Sequence, residues 1–111
     1  MKIVSEKIKL SELKTIAENN YMGLVKAVVD IESEIMAIDA DLHADEEKLL
    51  LDNGSKQENL WGINIYPSEK DMIEFDSMIN IRIWQNNKTR GIDDKKIQTR
   101  IINVVNKLIE K

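Results

Sequence analysis

The densest run of ionisable side chains in the chain is D-A-D-L-H-A-D-E-E, from Asp39 to Glu47. On a strand, Asp39 and Asp41 leave the backbone on the same side with Cα atoms roughly 6.6 Å apart. That spacing lets both carboxylates reach one hard cation such as Mg²⁺ or Mn²⁺. On a straight strand His43 would stand about 13 Å from Asp39, too far to share an ion, so it joins them only if the chain turns. Asp39, Asp41 and His43 are therefore a candidate metal set. The plainer reading is a hydrogen-bonded histidine ahead of a helix whose first-turn acids, Asp45, Glu46 and Glu47, answer the helix dipole. A single histidine with scattered acids lacks any diagnostic ligand spacing.

The second constellation comes from M-I-E-F-D-S-M-I-N-I-R-I-W, Met72 to Trp84. Read with period two, Ile73, Phe75, Ser77, Ile79, Ile81 and Ile83 fall on one side, and Glu74, Asp76, Met78, Asn80, Arg82 and Trp84 on the other. Such alternation predicts a half-buried strand. With Asn64 and Tyr66 from a neighbouring strand, Glu74, Asp76, Asn80, Arg82 and Trp84 would form a polar outer sheet face. That face is either simply solvated or a binding surface, since Tyr, Trp and Arg are the residues that anchor interfaces. Ser77, on the apolar side, has no neighbouring histidine base in the pattern to make it a nucleophile.

These residues need elements to carry them. Leu10 to Asn19 reads as a first helix with Ser11 as N-cap and Leu13, Ile16 and Ala17 as its apolar stripe. Val25–Ile31 and Ile35–Asp41 are rich in β-branched residues and predict an antiparallel hairpin around Glu32-Ser33-Glu34. Apolar matching favours the register that pairs Asp30 with Ile35, which aligns Val25, Ala27 and Val29 with Met36, Ile38 and Ala40 and sets Lys26 opposite Asp39. His43 to Leu51 predicts a second helix, stopped by Asn53-Gly54. Ser55 and Glu58 have the spacing of a capping box and predict one helical turn before Leu60. Trp61 to Tyr66 is a strand ended by Pro67. After a polar loop, Asp93 or Asp94 caps a last helix whose stripe is Ile97, Ile101, Val104, Val105 and Leu108. The order α-β-β-α-β-β-α predicts an α+β domain: a four-stranded antiparallel sheet with helices packed on one face.

Composition bounds the function. The chain has 111 residues, the size of one domain, residues 1–111, and a chain of this length buries roughly two thirds of its unfolded surface without needing a staple. It contains no cysteine, which removes disulfides, thiolate metal sites and cysteine nucleophiles. Sixteen basic against twenty acidic residues give a formal net charge of −4, which argues against general nucleic-acid binding. Lys88, Arg90, Lys95, Lys96 and Arg100 cluster locally but lack aromatic partners for bases. No apolar run resembles a signal peptide or a membrane span, so the cytoplasm is the expected compartment and no membrane is an expected partner. Phosphate-cradling glycine loops, dinucleotide fingerprints, zinc helices and nucleophile elbows are all missing, and no organic cofactor is implied.

The strings D-L-H-A-D-E-E-K-L-L-L-D-N-G-S-K-Q-E-N-L-W-G-I-N-I-Y-P, I-E-F-D-S-M-I-N-I-R and N-N-K-T-R-G-I together resemble a family of small uncharacterised prokaryotic proteins. The resemblance runs from about Val25 to the C-terminus. It implies a single small cytoplasmic domain and brings no activity or catalytic residue with it. Two functional expectations follow from the residues themselves. The first is a non-enzymatic binding module that uses the outer sheet face on an unknown protein partner or on a second copy as a homodimer. The alternative is a small metal-dependent hydrolase acting on a phosphate ester, with the ion on Asp39 and Asp41, His43 as acid or base, and Arg82 on the charged substrate.

Overall fold

The structure, a computed structural model, describes residues 1–20 and 22–111. Its centre is the hairpin of β3 (Val25–Asp30) and β4 (Ile35–Ile38). The observed register pairs Asp30 with Ile35, Val29 with Met36 and Ala27 with Ile38, as apolar matching predicts. Asp30 also makes the turn. Its Oδ1 accepts the N–H groups of Glu32 and Ser33 at 3.0 and 2.9 Å, the local side-chain turn that Asp favours.

On either side of the hairpin the sheet grows to five antiparallel strands. β1 (Lys2–Val4) pairs with β4, β5 (Leu60–Ile65) pairs with β3, and β6 (Ile73–Glu74) pairs with β5, giving the order β1-β4-β3-β5-β6. A separate two-stranded parallel pair joins β2 (Ile8–Lys9) to β7 (Ile109–Glu110). The four-strand expectation thus lacks β1 of the main sheet and the β2–β7 pair. Runs of two or three residues carry too little periodicity to be read.

Three helices complete the fold: α1 (Leu10–Glu18), α2 (His43–Asp52) and α3 (Lys95–Leu108). They pack on both faces of the sheet, not on one. Val25, Ala27, Val29, Met36, Ile38, Trp61, Ile63 and Ile65 meet Leu13 and Ala17 of α1 and Ile101, Val104, Val105 and Leu108 of α3. Each buried Val, Leu, Ile or Met side chain among them stabilises the fold by about 1.5–3 kcal/mol of transfer free energy. The alternate strand residues Val28, Ala37 and Leu60 meet Leu50 of α2 and Ile79. The face expected to be open is therefore roofed by α2 and by the chain after β6.

The helix ends are built more sparsely than the sequence suggests. Asp94 caps α3, its side chain accepting Lys96 N–H at 2.8 Å. α1 starts at Leu10 as expected, but Ser11 does not cap it; the N-cap position is held by Lys9, two residues earlier. Ser55 caps nothing either. A single 3₁₀ turn, Gln57–Asn59, does precede Leu60, but the Ser55 hydroxyl instead donates to Asp30 Oδ2 at 2.7 Å, tying that turn to the β3–β4 hairpin.

The largest correction concerns Met72 to Trp84. Only Ile73–Glu74 is strand. Met78–Asn80 and Ile83–Gln85 are 3₁₀ turns. Burial follows the alternation at Ser77 and Met78 and then reverses: Asn80 and Arg82 are buried, while Ile81 and Ile83 are exposed. Asn80 and Arg82 win the interior because each replaces a missing strand partner of β5. Asn80 Oδ1 accepts Gly62 N–H at 2.8 Å and its Nδ2 donates to Gly62 O at 2.9 Å. Arg82 donates to the carbonyls of Gln57 and Leu60 with its guanidinium 4.1 Å from the centre of the Trp61 ring. Together they finish the β5 edge that β6 is too short to cover.

Candidate functional site

At its C-terminal end β5 meets β6, with Asn64 opposite Glu74 and Ile65 opposite Ile73. The side chains there form a connected set. Asn64 Nδ2 donates to Glu74 Oε1 at 2.8 Å and to Asp76 O at 3.4 Å. The Tyr66 hydroxyl donates to the same Glu74 Oε1 at 3.2 Å. Burial, with the Glu74 carboxylate beside it, holds the Tyr66 phenol above its ordinary value. Arg90 Nε pairs with Asp76 Oδ1 at 2.7 Å.

These residues line a cleft of about 920 Å³ between the β5–β6 edge and the start of α2, with Lys26, Asp41, His43 and Ser77 also on its wall and Met22, Leu42 and Met78 exposed at its rim. His43 is buried here because α2 turns its first residue toward the sheet. Its Nε2 lies 2.7 Å from Ile63 O. A carbonyl can only accept, so Nε2 carries the proton, and Nδ1 of the neutral ring is a lone-pair acceptor. Burial pulls the imidazole below its ordinary value, outweighing the Ile63 carbonyl that favours the charged form, so the ring is neutral at pH 7.

Asn64 is the most informative member. It is 5% exposed, its amide nitrogen is committed to two acceptors, and its buried Oδ1 has no hydrogen-bond partner among the described residues. Both acceptors are oxygens, so the amide cannot be turned round without facing Oδ1 against them. Buried polar atoms are nearly always partnered, and an exception calls for an explanation.

The sequence-derived residues separate in space. Asn64, Tyr66, Glu74 and Asp76 come together on the cleft wall. Asn80 and Arg82 do not belong to any open face. They are buried against the β5 backbone, as described above. Trp84 lies outside the cleft, 70% exposed at the tip of a tight turn that Arg82 and Asn87 close by reciprocal backbone hydrogen bonds of 2.7 and 3.1 Å. Asp39 and Asp41 do not share a strand. β4 ends at Ile38, and Asp39 takes a left-handed conformation with φ 68°. Asp39 faces the N-terminal ammonium at 3.9 Å, Asp41 borders the cleft, and His43 is held by Ile63. Among the described residues no three His, Asp or Glu side chains are grouped to hold a metal ion.

Two features of the site escape sequence reading. Lys26 reaches the cleft because β3 places it directly opposite Asn64, a long-range pairing. Arg90 arrives from the loop that reads as a basic cluster, and its partner Asp76 is fourteen positions earlier. No local spacing signals either.

No helix is long and apolar enough to cross a membrane among the described residues. A comparison with curated proteins and with solved structures finds no match. One family model does match, described as a protein of unknown function, DUF5674, over residues 2–108. That span takes in every element that builds the cleft, and the chain belongs to the DUF5674 family.

Proposed function

We propose that this protein is a non-enzymatic binding module whose ligand enters the cleft between α2 and the β5–β6 edge. The observation that carries this reading is the fixed polar wall of the cleft, where Asn64 and Tyr66 both donate to Glu74 Oε1 and Arg90 pairs with Asp76. The mixture around it also fits recognition: a few fixed polar groups inside a concave surface with an apolar rim. The interactions among Asn64, Tyr66, Glu74 and Asp76 hold the polar groups in place before a ligand arrives, which lowers the ordering cost of binding.

The metal-dependent hydrolase alternative has no comparable support, because its carboxylates do not converge among the described residues. Binding at the cleft is tested by titrating a ¹⁵N-labelled sample with a small-fragment library. Hits are expected to move the Asn64 side-chain amide and the backbone amides of Ala44, Glu74 and Ser77 saturably. Hits that consistently map elsewhere on the surface would reject the cleft as the binding site.

A further inference from the structure

One stretch of the surface is almost without charge. From Ser77 to Asn87, S-M-I-N-I-R-I-W-Q-N-N, Arg82 is the only charged residue and it is buried, in a chain of which 32% is charged. The same stretch holds four of the nine exposed large apolar side chains among the described residues. Met78 is 65% exposed, Ile81 38%, and Ile83 and Trp84 70% each. Asn80 and Arg82 turn in to the β5 backbone, and the apolar side chains between and beside them are left facing solvent. Met78 and Trp84 are six positions apart, at most about 20 Å at full stretch, and less here because the chain turns twice.

This patch sits on a braced turn. Arg82 and Asn87 close it with reciprocal backbone hydrogen bonds, Asn86 takes a left-handed conformation with φ 59°, and Gln85 Nε2 donates to Glu58 O at 3.0 Å. Its shape is set before a partner arrives, which lowers the ordering cost of association. At about 200 Å² for a fully exposed large side chain, the four fractions leave roughly 500 Å² of surface on one copy. That is toward the upper end for the largest apolar patch of a monomer.

We infer that the patch is the contact surface of a homodimer, in which a two-fold axis sets the Met78–Trp84 face of one copy on the same face of another. Together the two copies cover about 1,000 Å², the low end for a specific interface, so the dimer is transient and forms at high concentration. A two-fold contact needs a surface that complements itself, and an uncharged apolar one does. It brings no like charges together, whereas two chains of net charge −4 repel elsewhere. Interface centres of this kind are poor in charge and rich in Trp and Met. An anionic membrane is the competing occupant for an exposed Ile-Trp tip, but it calls for cations beside the tip. Lys88, the next charge along the chain, has the Asp93 carboxylate on its own backbone N–H at 3.2 Å. Ile81, Ile83 and Trp84 do not line the cleft, so the dimer stands independently of a cleft ligand.

The test is sedimentation velocity of the full chain from about 5 µM to about 1 mM, with ¹⁵N-labelled spectra across the same series. The mass is expected to move from one chain toward two with a dissociation constant on the order of 100 µM. Concentration-dependent shifts are expected at backbone amides between Ser77 and Asn87. At the few micromolar of an unfolding titration the chain is then a monomer, so association does not enter its stability. Trp84→Ala and Ile83→Asp, both at exposed positions, are expected to weaken association at least tenfold. Ile102→Ser, exposed on α3, is expected to leave it unchanged. A chain that stays monomeric to about 1 mM would overturn the dimer, as would association that survives both tip variants. Shifts in the unmodified chain that map away from the tip would overturn it without any variant. Vesicles of phosphatidylcholine and phosphatidylglycerol are the control for a lipid surface. Binding to them by the monomer, lost in Trp84→Ala, would assign the patch to a membrane and overturn the dimer.

Discussion

The Asn80 side chain treats Gly62 as an adjacent strand would, accepting its N–H at 2.8 Å and donating to its carbonyl at 2.9 Å. The same Nδ2 donates to Arg90 O at 3.0 Å, so one amide joins the central sheet to the loop that supplies the cleft's arginine. Replacing Asn80 by Leu preserves bulk but strands the buried Gly62 N–H and carbonyl, while Arg90 O keeps the Ser77 N–H. At about 1–3 kcal/mol per buried unsatisfied group, Asn80→Leu is expected to lose roughly 2 kcal/mol or more in urea unfolding. A loss below about 1 kcal/mol would mean that the loop is held by something other than this amide.

Gly62 is tied to Ser77 by space rather than by hydrogen bonds. A Cβ at Gly62 would sit 2.5 Å from both Ser77 Cβ and Ser77 Oγ, and 3.2 Å from Ile79 Cγ1. Gly62→Ala is therefore expected to destabilise by about 1–3 kcal/mol through overpacking. Ser77→Gly removes the two closest atoms, so the double variant should recover much of that loss. A double-mutant cycle in chemical denaturation reads the coupling, and additive effects would contradict the packing.

Such pairings explain what the sequence discloses and what it hides. The β3–β4 register was legible because the two strands alternate in phase, and α3 was legible because Ile101, Val104, Val105 and Leu108 repeat along one face. Helix α2 has the right ends, but its buried residues are His43, Glu46 and Leu50. Two of those three are polar, so no apolar stripe reveals that α2 covers the second sheet face. The stretch after β6 misleads for the opposite reason. Its apolar residues keep period two while its backbone turns twice, and Ser77, Asn80 and Arg82 are interior because they bond the backbone. Of the expected binding residues, those on β5, on β6 and just beyond them meet in the cleft. Asn80, Arg82 and Trp84, further along the misread stretch, do not.

Glu46 gives stability a distinctive pH dependence. It is fully buried in α2, with Oε2 accepting Ala40 N–H at 3.0 Å and Oε1 without a partner among the described residues. Burial pushes its carboxyl up to about 9 from an ordinary 4.5, against the Ala40 hydrogen bond and the attraction of Lys26 and with help from the repulsion of Asp39. Above pH 4.5 the unfolded chain releases this proton and the folded chain keeps it. Stability therefore falls as pH rises, by up to about 1.4 kcal/mol per unit, until about pH 9. Glu46→Gln cannot titrate and is expected to flatten that component of the slope and to exceed the parent in stability at pH 8. Urea unfolding from pH 5 to pH 9 checks it, and identical slopes for the two proteins would refute the protonated acid. His43 acts at the other end: its depressed value means that stability is lost as pH falls below 6.5, where the unfolded ring takes a proton first.

Arg82 and Trp84 are two positions apart, yet one is 1% and the other 70% exposed. The Arg82 guanidinium satisfies the Gln57 and Leu60 carbonyls and stacks on Trp61. Arg82→Met keeps the stem but takes the donor from the Leu60 carbonyl, while the Gln57 carbonyl keeps the Leu60 N–H, and it removes the cation–π contact, which is worth about 2 kcal/mol when desolvated. A loss of about 2–5 kcal/mol is expected. Arg82→Lys should recover only part of it, because an ammonium lacks the planar fork that reaches two carbonyls at once. Trp84→Ala, at the tip of the Arg82–Asn87 turn, is expected to change stability by no more than about 0.5 kcal/mol, the usual range for exposed positions. The contrast is measured in parallel urea titrations. Equal losses at the two positions would mean that the tip packs against the fold, and a negligible loss at Arg82 would mean that the β5 edge does not depend on its guanidinium.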